Sequence, residues 1–114
     1  MLQLKKLLNR GDCENMITLV ANMQAKPGKE KELEAALQVH FPKVQLEKGT
    51  AAYVLHRSTE KVGQFFFYEK YQDQQALDYH GSTPYLKELF SSIADLLLEK
   101  PEVKLYEEVA AISR

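Results

Sequence analysis

A single cysteine, Cys13, excludes an internal disulfide and points to a reducing, cytoplasmic setting. Three scattered histidines with no Cys-x-x-Cys pair leave no structural zinc signature, and no metal site is expected. Charge of one sign is also lacking: 15 Lys and Arg against 16 Asp and Glu give a formal net charge of −1. No basic field therefore recruits nucleic acid or an acidic membrane surface. Long apolar runs are absent, since Phe65-Phe66-Phe67-Tyr68 is far too short to cross a bilayer. No glycine-rich phosphate loop or nucleotide fingerprint occurs, so flavin and nicotinamide are not indicated. What remains is 114 residues with an apolar fraction of 45%, one ordinary globular domain.

Residues 1–15 read as an N-terminal extension. Leu4, Leu7 and Leu8 have helical spacing, but Lys5 and Lys6 interrupt the apolar stretch and no small-residue cleavage site follows, so export is not expected. Ile17, Leu19, Ala21 and Met23 then alternate with Thr18, Val20, Asn22 and Gln24 and predict a first strand over 16–25. After Lys26-Pro27-Gly28, the helical recurrence of Leu33, Ala36, Leu37, His40, Phe41 and Val44 predicts a helical region, broken or kinked at Pro42 and ended by Gly49. A second strand over 51–57 and a third over 64–71 flank turn chemistry at Ser58 to Gly63. Asp73 can cap a short helix that Gly81 stops, and Ser82-Thr83-Pro84 opens another through about Leu98 with Leu86, Leu89, Phe90, Ile93, Ala94 and Leu97 inward. Beyond Pro101, a last strand is expected over 102–109.

Strand, helix, strand, strand, helix, strand is the β-α-β-β-α-β order of a ferredoxin-like α+β fold, a four-stranded antiparallel sheet with helices on one face. The third strand is aromatic on both faces, with Phe65, Phe67 and Tyr71 on one side and Phe66 and Tyr68 on the other. One helical layer covers only one of them, so a homodimer packed sheet to sheet is expected.

With these elements placed, residues 16–110 resemble the antibiotic biosynthesis monooxygenase family. The resemblance rests on Lys26-Pro27-Gly28-Lys29-Glu30, on Gly49 through His56-Arg57-Ser58, on Tyr68-Glu69-Lys70-Tyr71 with Ala76-Leu77-Asp78-Tyr79-His80, and on Ser82-Thr83-Pro84-Tyr85-Leu86. It implies a dimeric α/β barrel of two ferredoxin-like chains, and a cofactor-independent monooxygenase acting with dioxygen on a small aromatic or quinol-type substrate. It also admits two alternatives: a haem-binding or haem-degrading relative, and a non-oxygenase isomerase or ligand-binding dimer. The chain departs from many relatives in having Tyr71 where they carry tryptophan, and Tyr85 where they carry a second histidine.

His80 matches the histidine that closes the short helix in this resemblance, and its near-neutral titration suits proton transfer from a phenol. The competing reading is a histidine that caps helix carbonyls beside Gly81. Tyr71 is the second catalytic candidate, a hydroxyl expected beside an apolar cavity lined by Phe67, with His80 at the cavity mouth. Asn22, Tyr53, Phe67 and Tyr85 are the substrate-binding candidates; Asn22 supplies a carboxamide suited to an enolate, and Tyr53 a hydroxyl that needs a partner when buried. Phe67 reads first as core, and Asn22 alternatively as facing the dimer contact or solvent, since its strand face also carries Thr18 and Gln24. His56 and Arg57 read as surface residues, His40 as filler of an amphipathic helix, and Glu30, Glu32 and Glu34 as a solvated face.

Overall fold

The computed structural model describes residues 16–113; the extension read over residues 1–15 lies outside the described residues. The elements run β1 (Ile17–Gln24), α1 (Glu30–Ala36), α2 (Phe41–Val44), β2 (Thr50–Arg57), β3 (Gln64–Tyr71), α3 (Gln74–Gly81), α4 (Pro84–Ile93), a single 3₁₀ turn (Ala94–Leu96) and β4 (Glu102–Glu107). The sheet order is β2-β3-β1-β4 with every neighbouring pair antiparallel, the ferredoxin-like arrangement that the element order implies.

Alternation decides which face is buried. Ala21 and Met23 of β1 stand opposite Phe67 and Phe65 of β3, and these four meet Leu33, Leu37, Leu89 and Ile93 from the helices in one core. Burying a side chain such as Phe65 or Leu37 is worth roughly 1.5–3 kcal/mol, so this layer contact supplies most of the driving force. Glu69 and Tyr71 continue the inward phase of β3, which carries a carboxyl into the interior. No helix among the described residues is long and apolar enough to cross a membrane.

Three expectations shift in detail. The helical region breaks before Pro42: α1 ends at Ala36, Gln38 and Val39 make tight bonds back three residues, and α2 restarts at Phe41 with Pro42 in its first turn. A proline there sacrifices no helical hydrogen bond. The last long helix stops at Ile93 rather than near Leu98, because the chain turns extended to pair with β1: the Lys26 amide donates to Leu96 and the Leu98 amide to Gln24, each at 2.8 Å. Phe90, on the outer side of α4 and 41% exposed, and Ala94, also exposed, do not point inward as expected, and Leu89 and Ile93 carry the buried stripe. Finally, β4 ends at Glu107, and all six of its residues are exposed in the single chain.

Candidate active site

Beneath α3 and the segment after α2, a set of polar side chains is buried together. His80 ends α3, whose start is fixed by the Asp73 carboxylate accepting the Ala76 amide at 2.9 Å. Its imidazole is 3% exposed, and Nδ1 donates to both carboxylate oxygens of Glu47, at 2.9 and 3.0 Å. Glu47 also accepts from the Thr50 hydroxyl at 2.6 Å and from the Tyr85 hydroxyl. Three donors on one carboxylate leave little of its accepting capacity unused.

On the other side of the ring, His80 Nε2 faces Glu69 at 4.0 Å, too far for a hydrogen bond, so this nitrogen is the open end of the imidazole. Glu69 accepts from the Tyr71 hydroxyl. The Tyr71 and Tyr53 rings lie against His80 with centroids 5.3 and 5.4 Å away. Tyr53 turns its hydroxyl to His40 Nε2, at 2.6 Å, and packs on Phe67 at 4.9 Å. His40 Nδ1 is buried without a hydrogen-bond partner among the described residues.

Burial sets the protonation of these groups. Desolvation, with a lesser push from Glu47, raises Glu69 to about 7 against the pull of its Tyr71 hydrogen bond. Its proton is thus exchangeable near neutral pH. Burial, reinforced by His80, lowers His40 to about 4 and keeps that imidazole neutral. Burial raises Tyr53 and Tyr71 far above the ordinary phenol range, with Glu69 the next cause in each case. Tyr85 rises to about 12 through burial and its bond to Glu47.

A cleft of about 440 Å³ opens beside this cluster, between α1 and β2. Phe41, Tyr53, Leu55 and Phe65 give it apolar walls, and Glu34, Gln38 and Arg57 give it a polar rim. Tyr53 is shared: it lines the cleft and touches His80.

The architecture and this arrangement meet a sequence match: the sequence model described as antibiotic biosynthesis monooxygenase aligns with residues 16–91. The chain belongs to the antibiotic biosynthesis monooxygenase family. An uncharacterized protein of Synechocystis sp. is 31% identical over 93 residues, covering 82% of this chain and 63% of its own length, so the chain spans under two thirds of that relative. Among solved structures, a Shewanella oneidensis protein superposes with a TM-score of 0.80 at 31% identity, over 85% of this chain and 94% of its own. A candidate antibiotic biosynthesis monooxygenase of Caulobacter crescentus superposes at 0.79 with 27% identity, over 94% and 98%.

Within this antibiotic biosynthesis monooxygenase fold, His80, Tyr71, Tyr53, Phe67 and Tyr85 do come together, but not as a cavity with His80 at its mouth. Phe67 and Tyr71 are fully buried and His80 lies inside, because Glu47 and Tyr85 close over it. Nor does the imidazole cap α3: the Thr83 hydroxyl satisfies the His80 carbonyl, and the Ser82 hydroxyl that of Tyr79, each at 2.8 Å. Asn22 stands apart. It pairs with Phe66 and Glu102 on the opposite sheet face and lines a polar hollow with Gln24, Lys61 and Gln64.

Sequence reading missed Glu47 and passed over His40. Glu47 sits in the polar run Gln45-Leu46-Glu47-Lys48-Gly49, where nothing distinguishes it from a solvated helix end. Its burial depends on Gly49: a Cβ there would lie 2.4 Å from Ala76 Cβ, so only glycine lets this segment close on α3. Gly49→Ala should therefore destabilise the protein by about 1–3 kcal/mol in urea unfolding. Gly49→Ala combined with Ala76→Gly should recover most of that loss; no recovery would rule out the contact as the cause.

Proposed function

We propose that this chain is a monooxygenase that oxidises a small aromatic or quinol-type substrate with dioxygen, drawing every electron from the substrate itself. The observation that carries this reading is His80, aligned by Glu47 through Nδ1 and with Nε2 open toward Glu69, behind the aromatic wall of the cleft. The substrate ring lies against Tyr53, Phe41 and Leu55, and a rotation of the intervening Tyr53 ring opens the way from the cleft to His80 for the substrate's acidic proton, a path too narrow for a haem. His80 Nε2 takes the acidic proton. The imidazolium so formed is stabilised by Glu47, while Glu69 offers the next site for the proton. The substrate anion passes electrons to dioxygen, a carbon–oxygen bond forms to give a hydroperoxide, and loss of water leaves a carbonyl. For an anthrone methylene, the balance is CH₂ plus O₂ giving C=O plus H₂O, a four-electron oxidation with no outside reductant. Tyr71 keeps Glu69 in place, and Tyr85 and Thr50 do the same for Glu47.

A haem suits these residues less well. An iron on Nε2 would have to enter between Glu69 and the Tyr71 and Tyr53 rings, at an imidazole that is 3% exposed. Oxygen uptake with a panel of anthrones and hydroquinones tests the oxygenase reading. One O₂ consumed per substrate, with one ¹⁸O atom from ¹⁸O₂ in the product, is expected. Proton exchange or isomerisation without oxygen consumption would identify a non-oxygenase instead.

The acting unit is a homodimer. The sheet face away from the helices carries Val20, Val54, Phe66, Tyr68 and Tyr106, of which Val54 and Tyr106 are 41% and 50% exposed. A second copy of the sheet covers this surface. Sedimentation equilibrium at micromolar concentration should give twice the chain mass, and a folded monomer would overturn the pairing.

A further inference from the structure

The cleft is polarised from end to end, and that polarity selects a ligand. Its floor is the inward face of β2, where Tyr53, Leu55 and Arg57 follow one another at every second residue. Its roof is Glu34 of α1, Gln38 of the turn that follows and Phe41 of α2. Phe41 and Tyr53 make the inner end aromatic, with centroids 5.0 Å apart, and this end abuts His80. The outer end is ionic: Arg57 Nε lies 3.2 Å from Glu34 Oε1.

Nε is the guanidinium nitrogen that lies against Glu34, the Arg57 side chain makes no hydrogen bond among the described residues, and it is the one cation among the cleft's lining residues. The Gln38 amide is committed to the Glu34 carbonyl at 3.1 Å, so it does not compete for an acceptor arriving at the rim. The Arg57 side chain is largely exposed and Glu34 partly so, and ion pairs at such sites contribute little, so a ligand carboxylate can share or displace Glu34 at small cost. A planar carboxylate matches the guanidinium fork better than a neutral carbonyl does.

We infer that the cleft takes a flat aromatic carboxylate, its ring against Tyr53 and Phe41 and its carboxylate on Arg57. Four residues of extended strand separate the two ends by about 13 Å, which suits a fused bicyclic or tricyclic acid with its reactive ring innermost. Arg57 is then a specificity-determining residue for the proposed oxidation. The assignment rests on the oxygenase reading for the identity of the reaction, but not for the binding.

Binding of two redox-inert probes separates the two. In NMR titrations following the Tyr53, Leu55 and Phe65 amides, 2-naphthoate should bind about tenfold more tightly than 2-naphthamide. Arg57→Gln should erase the preference by weakening naphthoate alone, and Glu34→Gln should retain or enlarge it. Equal affinity for the two probes, an undiminished preference in Arg57→Gln, or no saturable shift at these amides would overturn the inference. In the wild type, absence of the naphthoate preference alongside oxygen uptake with an uncharged hydroquinone would overturn this inference and leave the oxygenase reading standing, whereas the preference without any oxygen uptake would defeat only the latter.

Discussion

Replacing His80 by alanine is expected to lower turnover of an oxidisable anthrone or hydroquinone by about 100-fold or more, the usual contribution of a positioned general base. The same change should also lower stability by about 1–3 kcal/mol, because Glu47 loses its Nδ1 donor and two buried carboxyls then face each other across a void. His80→Asn separates the two effects. An asparagine amide can occupy the place of Nδ1 and donate to Glu47, but it has no titratable nitrogen directed at Glu69. Its stability should approach that of the wild type while turnover stays at the alanine level. Wild-type oxygen uptake by His80→Asn would show that the ring only braces Glu47, and would send the search for the base to Glu69.

Unfolding free energy measured in urea across pH should reveal two buried groups acting in opposite directions. Glu69 is raised to about 7 in the fold, so the native state holds this proton where the unfolded chain has released it. Its contribution is therefore greatest below about pH 4.5, and stability is lost as pH rises toward 7, by up to roughly 3 kcal/mol. His40 is lowered to about 4, so the unfolded chain binds a proton that the native state refuses. Its contribution is present above about pH 6.5 and is lost as pH falls toward 4, by a similar amount. Between pH 4.5 and 6.5 the two slopes nearly cancel in the wild type. Glu69→Gln should uncover the histidine: relative to the wild type it gains up to roughly 3 kcal/mol at pH 8 and nothing at pH 4. His40→Gln should gain toward low pH instead. Parallel curves for the wild type and Glu69→Gln would mean that Glu69 titrates as an ordinary surface carboxyl. Tyr71→Phe adds a check on the same group, since removing a hydrogen bond that lowers Glu69 should move its titration to still higher pH.

Periodicity alone was enough for the framework. The period-two runs at Ile17, Leu19, Ala21 and Met23 and at Phe65, Phe67, Glu69 and Tyr71, with Asp73 as a cap, gave the strands, the start of α3 and the ferredoxin-like order, since these are local properties of the chain. The phase of β3 also placed Glu69 on the buried face beside Tyr71, and the spacing of Leu33, Leu37 and His40 placed His40 on the buried side of its helical region. Local patterns did not settle what those groups meet once inside. Glu47 lies 33 residues from His80 in sequence and 38 from Tyr85, and no periodicity links such positions. Their union depends on the close approach of Gly49 to Ala76, a steric fact that arises only when the segment after α2 folds onto α3. The same holds for the end of α4, where the chain left its helix to hydrogen-bond with β1, whereas the alternation of β1 by itself already set Asn22 on the face opposite Ala21 and Met23. Helical and strand phases are written in neighbouring residues, whereas the meeting of two carboxyls around one imidazole is written only in the packing of the whole chain.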